Sequence, residues 1–176
     1  MTFQTTVRFD YGYGVVGESR KHGSRRAKPV LLNTTNAANN VVGRAFTYNN
    51  DGKTVGAGGT GVLAGILANP KQYASFGTAA GGPLAPTITL PNNTIGEVVE
   101  ADYALIVQLT NNNAKVGDYI VFLQSDGTLQ SVTPGAALPG GSTQIHGAMV
   151  DDVPGNANGL CSIALTGPLP IGPTTV

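Results

Sequence analysis

The clearest pattern in the chain is an alternation of side chains between Glu97 and Thr110. Ala101, Tyr103 and the apolar residues at 105, 107 and 109 fall on one side of an extended backbone, and residues 100, 102, 104, 106 and 108 fall on the other. A period of two over ten residues is typical of a β-strand. We therefore predict a long strand here with one buried face.

Shorter apolar or alternating runs occur along the rest of the chain, and each is bounded by Gly, Pro, Asp or Asn. They predict strands at residues 41–48, 53–55, 62–68, 87–90, 116–123, 128–132, 145–150 and 161–167. Asn49–Gly52 and Asp126–Gly127 are typical turn sequences. No apolar pattern of helical period extends beyond two turns. About eight to ten strands at this spacing predict an all-β fold, with an antiparallel β-barrel or β-sandwich body.

The first 40 residues have a different character from the rest of the chain. Three glycines interrupt Asp10–Gly17, a polar and basic stretch follows, and Val30–Leu32 forms a short hydrophobic anchor. We predict that residues 1–40 form an extended basic N-terminal arm. Residues 41–176 are then a β-rich body that ends in a Pro-rich tail from Pro168.

Charge is sparse and unevenly distributed. Charged residues make up 11% of the chain, well below the usual quarter, which suits a protein packed against other subunits. The first 28 residues carry a net charge of +4 and the remainder carries −4. Such asymmetry favours a basic segment with an acidic partner, although a solvated tail is an alternative. The residues predicted to contact that partner are Arg20, Lys21, Arg25, Arg26 and Lys28.

The partner of these cations could be nucleic acid phosphates or an acidic protein surface. The negative remainder of the chain favours a protein partner, so we expect no direct nucleic acid contact. Cys161 is the single cysteine, which excludes an intramolecular disulfide. No apolar run is long enough for a signal peptide or a membrane span. We expect a soluble protein made in a reducing cytoplasm, without membrane association.

A glycine-rich stretch, Gly56–Gly61, matches the pattern G-x-G-x-x-G. A dinucleotide site requires that pattern between a strand and a helix, with an acidic residue about 20 positions later. Here Pro70 ends the following apolar run, and residues 76–85 contain no acid. The sequence therefore favours a tight loop over a cofactor site.

Four further residues raise the question of chemistry. Asp151 and Asp152 could bind a hard cation, but no oxygen-rich loop surrounds them, and they suit a connection between strands. His146 and Cys161 could form a nucleophilic pair on adjacent strands, but no third orienting group is apparent. We expect a buried, inert Cys161 and a structural His146. We therefore predict no metal, no cofactor and no catalytic residues.

Several short sequence segments of the chain resemble the structural cement, or capsid decoration, proteins of tailed bacteriophages. The similarity covers about residues 40–170 and consists of strand and turn sequences, not of a catalytic motif. The phrases that carry it are Asn40–Thr47, Asp51–Pro70, Val116–Phe122, Asp126–Leu129, Ile145–Asp152 and Cys161–Gly167.

The resemblance implies a small, non-enzymatic β-protein on the outer surface of an icosahedral virion. Such a protein would bind the major capsid protein and bridge neighbouring subunits to stabilise the mature head. We expect self-association as a dimer or trimer, because closed symmetric contacts are common. The alternative is a virion surface module that recognises host carbohydrate, which the absence of tryptophan disfavours. A third hypothesis is an enzyme that uses His146 and Cys161 or the aspartate pair.

Overall fold

The computed structural model describes residues 14–21, 23–69, 89–111, 113–154 and 159–166. These residues form nine β-strands and one turn of 3-10 helix at Ala37–Asn39. The strands are β1 Arg26–Leu32, β2 Ala45–Tyr48, β3 Thr54–Ala57, β4 Leu63–Leu67, β5 Ile95–Gln108, β6 Tyr119–Leu123, β7 Leu129–Val132, β8 Ser142–Asp152 and β9 Leu160–Leu165. The predicted all-β class is confirmed. Within the described part of the chain, no helix is long and apolar enough to cross a membrane.

Five strands close into a β-barrel. They follow the order β1-β3-β2-β4-β5, and β5 returns to pair with β1. The β1–β5 ladder is antiparallel and runs from Arg26 opposite Ala101 to Leu31 opposite Ile95. The barrel interior is filled by apolar side chains such as Phe46. The prediction of a β-barrel is therefore confirmed for this part of the molecule.

The remaining strands form a second sheet in the order β5-β9-β8-β6-β7, in which all neighbours are antiparallel. The sheet curls until Leu109, just past β5, forms an isolated parallel bridge with Leu129 of β7. Its core contains Phe122 and the predicted apolar face of β9, where Cys161, Ile163 and Leu165 are all buried.

The long strand β5 belongs to both parts. Its first half pairs with β1 and β4, and its second half pairs with β9. The alternation predicts one buried face, but Ala104, Leu105, Ile106 and Val107 are all buried in succession. The Ile106 side chain points to the face that the alternation predicts to be exposed, but Gly14 covers it. A Cβ atom on Gly14 would overlap the Ile106 Cδ1 atom. A ladder irregularity between Asp102 and Leu105 also interrupts the period of two.

Residues assigned by the sequence to an N-terminal arm take part in the sheet. Strand β1 lies within residues 1–40, and its Val30 and Leu32 side chains are buried in the barrel core. Before it, Ser19 forms a β-bridge with Leu105. The sheet thus begins well before residue 41, because the hydrophobic anchor Val30–Leu32 supplies two core side chains.

The turn between β6 and β7 joins the second sheet to the barrel. Gly127 has a φ of +75°, and its carbonyl accepts a hydrogen bond of 2.9 Å from the Ala45 amide. A Cβ atom on Gly127 would lie 2.8 Å from the Gly58 nitrogen, and one on Gly58 would lie 2.5 Å from the Gln124 carbonyl oxygen. Such close backbone approach requires glycine on both sides.

Some predictions fall outside the described residues. These are the Pro-rich tail from Pro168, most of the predicted strand at residues 87–90, and the first 13 residues of the predicted arm.

Candidate functional site

The five predicted contact cations all form salt bridges with carboxylates of their own chain. Arg20 and Lys21 precede β1, and their partners lie on β8; Arg26 and Lys28 lie on β1, and their partner lies on β5. The pairs are Arg20–Asp152, Lys21–Asp151 at 2.5 Å, Arg25–Glu97 at 3.2 Å, Arg26–Glu100 at 2.7 Å and Lys28–Glu100. The basic segment is therefore matched to acidic residues of the same molecule.

These acidic residues were not predicted as a site. The charge distribution gave a hint of such pairing, because the net charge of +4 on the first 28 residues is balanced by −4 on the remainder. Sequence alone could not show which carboxylates are involved, because Asp151 and Asp152 lie about 130 residues from their partners in the chain. Only the pairing of β8, β9 and β5 brings them beside the basic segment.

Glu100 is the least exposed of the four carboxylates and receives both Arg26 and Lys28. The hydrogen bond from Lys28 lowers the pKa of Glu100 below its usual value, against the opposing effect of burial. Burial also disfavours the charge on Lys28, but its contacts with Glu100 and Tyr48 outweigh that effect and raise the pKa of Lys28. The Lys28 ammonium lies 5.1 Å from the Tyr48 ring centroid. This cluster is ionised on both sides at neutral pH.

Each part of the molecule also exposes large apolar side chains. On the barrel, Leu31 and Ile95 are directly opposed across the β1–β5 ladder and are 41% and 69% exposed. On the second sheet, Tyr119 lies opposite Met149, and Val116 precedes Tyr119 by three positions; all three are exposed. We call these the barrel patch (Leu31 and Ile95) and the sheet patch (Val116, Tyr119 and Met149). Exposed apolar groups at such paired positions suit contact with another protein.

The glycine-rich motif Gly56–Gly61 ends β3 and leads into β4, and both strands pair with β2. A strand, not a helix, follows the motif, so the arrangement that a dinucleotide site requires is missing. Its Gly58 instead allows the barrel to approach the β6–β7 turn. The motif is thus the end of a strand followed by a tight connection, and packing between the two parts explains its glycine at position 58.

The other candidate residues do not form a catalytic or metal-binding arrangement in the described residues. Asp152 lies opposite Ser162, the neighbour of Cys161, in the β8–β9 ladder. His146 lies six residues before Asp152, in an irregular part of β8 between Gln144 and Met149. Burial raises the pKa of the Cys161 thiol to about 12, so it is protonated and unreactive at neutral pH. No group of three or more His, Cys, Asp or Glu residues that could hold a metal occurs among the described residues.

The described residues thus form an all-β fold with paired surface charges and two exposed apolar patches. The family model for the structural cement protein (E217 gp24/Pam3 gp6) matches residues 3–166, which is most of the chain. The chain therefore belongs to the structural cement protein family of bacteriophages and is a structural component of the virion capsid.

A solved structure shares the fold. A chain from the capsid of Myoviridae phage XM1 is similar with a TM-score of 0.60 and 12% sequence identity, over 96% of this chain and 100% of that chain. No curated protein is significantly similar to the chain. Family membership and shared fold together confirm the resemblance seen in the strand and turn phrases.

Proposed function

We propose that this protein binds the outer surface of the major capsid protein shell and bridges neighbouring subunits to stabilise the mature head. The observation that carries the proposal is that one continuous strand, β5, joins two parts that each expose an apolar patch. A rigid body with separate contact surfaces can hold two neighbours at a fixed distance. Once the first contact has formed, the second forms at a high effective concentration, so two weak contacts together give firm retention.

The proposed role requires no chemistry on the part of the protein, and we propose that it is not an enzyme. It would be made in the host cytoplasm and retained on the virion exterior, with self-association as a dimer or trimer. We further propose that Arg20, Lys21, Arg25, Arg26 and Lys28 contact an acidic neighbour. Since these cations already hold carboxylates of their own chain, such contact takes place by sharing or exchanging partners.

The proposal is tested by decoration of empty shells with variants that place a charge in each patch. Ile95→Asp alters the barrel patch and Met149→Asp alters the sheet patch, and both side chains are exposed, so the fold is expected to persist. Burial of one large apolar side chain stabilises a contact by about 1.5–3 kcal/mol. Each variant should therefore bind shells at least about tenfold more weakly than the wild type.

Leu138→Asp is the matched control, because Leu138 is similarly exposed, at 46%, but lies outside both patches. Occupancy is measured by quantitative gel analysis of purified shells, before and after mild heating. Wild-type occupancy and heat retention for both patch variants would refute the bridging proposal. Binding of the isolated protein to a glycan array would favour carbohydrate recognition instead.

A further inference from the structure

The segment at residues 14–21, which we call the strap, is docked along one edge of β5. The Gly17 amide donates to the Ile106 carbonyl at 2.8 Å, the Ile106 amide donates to the Glu18 carbonyl at 2.9 Å, and the Arg20 amide donates to the Ala104 carbonyl at 2.8 Å. This is the hydrogen-bond pattern of an added antiparallel strand. The strap therefore occupies a β5 edge that would otherwise be open.

The docking site is shaped for the strap. Val16 is buried against the barrel core. Gly17 has a φ of +84°, and a Cβ atom there would lie 2.5 Å from both the Asn69 nitrogen and the Val42 Cγ1 atom. A residue other than glycine would meet backbone and a branched side chain at this position. The site thus selects a valine–glycine sequence by shape.

The site also selects by charge and hydrogen bonding. The Ser19 hydroxyl donates to Asp102 at 2.8 Å, and Asp102 is 4% exposed. Arg20 and Lys21 form ion pairs with Asp152 and Asp151. A hydroxyl followed by two cations therefore complements the charges and hydrogen-bonding groups of this site.

The connection from the strap to β1 is longer than the edge requires. Ser19 lies opposite Leu105, and Arg26 lies opposite Ala101. Between these two pairs the chain advances seven residues on the strap side but only four residues on β5. The connection is therefore three residues longer than the part of β5 that it faces, and Gly23 within it lies against the Tyr103 ring. The strap makes its own hydrogen bonds to β5, so its release would leave the β1–β5 ladder intact. An empty edge would expose unpaired backbone groups, which readily accept another strand.

We propose that the strap is exchangeable, and that the partner that receives it is the same β5 edge and aspartate pair on a second copy of this protein. Every docking contact is made within one chain, so a second copy offers an identical site, and exchange of an identical element costs little. Copies held close together on a shell would have a high effective concentration for this exchange. That local enrichment rests on the proposed function, whereas the exchange itself does not.

The test uses two full-length variants with complementary charges. Variant one carries Arg20→Glu and Lys21→Glu, and variant two carries Asp151→Lys and Asp152→Lys. Within each variant the strap and its own site have like charges, but each strap matches the site of the other variant. Mixing isotopically labelled variants should give two-chain complexes that favour the mixed pair about tenfold over the statistical share, measured by native mass spectrometry. The preference should fall as salt is raised.

Three controls make the outcome decisive. All four substitutions in one chain should restore the melting temperature towards the wild-type value, which shows that the reversed charges are compatible with the fold.

Adding Gly17→Val to both partners should abolish the preference for the mixed pair, whereas Gly140→Val, at a glycine with open space around it, should retain that preference. A statistical mixture, no complex, or a preference that survives Gly17→Val would each overturn the exchange. Because no shell is present, none of these results depends on shell binding.

Discussion

The barrel and the second sheet use similar strands but close in different ways. The barrel is closed by the six-residue ladder between β1 and β5, so none of its five strands has a wholly open edge. The second sheet returns to its start through the single bridge between Leu109 and Leu129. The barrel is thus closed by β1, a short segment that the sequence pattern predicts as part of an extended arm and not as a strand.

The largest loss of stability is expected from a substitution in the barrel core, and it tests whether the barrel and the second sheet unfold together. Phe46 is fully buried in the barrel core, so Phe46→Ala should lower the free energy of unfolding by about 3–5 kcal/mol. Since β5 contributes to both parts, hydrogen exchange should accelerate in β8 and β9 as well as in the barrel. The reciprocal control is Phe122→Ala in the second sheet, which should accelerate exchange in β2 and β4. Loss of protection confined to the mutated part would show that the two parts are independent.

A smaller effect tests the contact between the β6–β7 turn and the barrel. Gly127→Ala places a Cβ atom against the Ala45 carbonyl and the Gly58 nitrogen, in addition to the strain of a φ of +75°. Overpacking of this kind costs about 1–3 kcal/mol. Gly52→Ala is the control, because its φ of +63° gives similar strain but no atom lies within 4 Å. Equal losses in urea unfolding for the two variants would argue against a tight contact.

The smallest effect concerns the Glu100 cluster that links β1 to β5. The pKa of Glu100 is lowered in the folded protein, so its contribution to stability is present above the usual value of 4.5 and is lost as the pH falls through the folded-state value. The pKa of Lys28 is raised, so its contribution is present below 10.5 and is lost at more alkaline pH. Glu100→Gln should therefore destabilise the protein by about 1 kcal/mol at pH 7.

The comparison is made by urea unfolding of wild type and Glu100→Gln at pH 7 and at a series of lower pH values. The difference between them should shrink as the pH falls through the folded-state pKa of Glu100, because the wild-type carboxyl group then becomes protonated. A difference that is unchanged by pH would mean that the carboxylate acts through packing instead of charge.

Local patterns predicted the strands and turns well. The alternation at Glu97–Thr110 located β5, and Asp126–Gly127 marked the β6–β7 turn, because both features depend on neighbouring residues. The same patterns could not show that this turn packs against Ala45, since that contact joins residues about 80 positions apart. They also could not show that the outward side chain of Ile106 is buried, because its cover comes from Gly14.

The candidate site was predictable in part. Charge counting singled out the basic residues that form the ion pairs, whereas their contact with a separate partner stays a prediction. At Gly56–Gly61, strand β4 follows the motif, where a dinucleotide site would require a helix. The location of the partners did not follow, because ion pairs between distant strands leave no local pattern. The exposed apolar pairs likewise depend on register, which sets Leu31 opposite Ile95 and Tyr119 opposite Met149.

The sharing of strand β5 by the barrel and the second sheet limits how the gene for this protein can recombine during evolution. A gene break anywhere within Ile95–Gln108 would leave both the barrel and the second sheet short of a strand. The two parts therefore cannot be exchanged as separate modules between related genes, and the apolar cluster of the second sheet also contains barrel residues such as Ile66 and Val99. New binding properties must arise by substitution on the exposed faces or by insertion in the loops, while β5 is inherited whole.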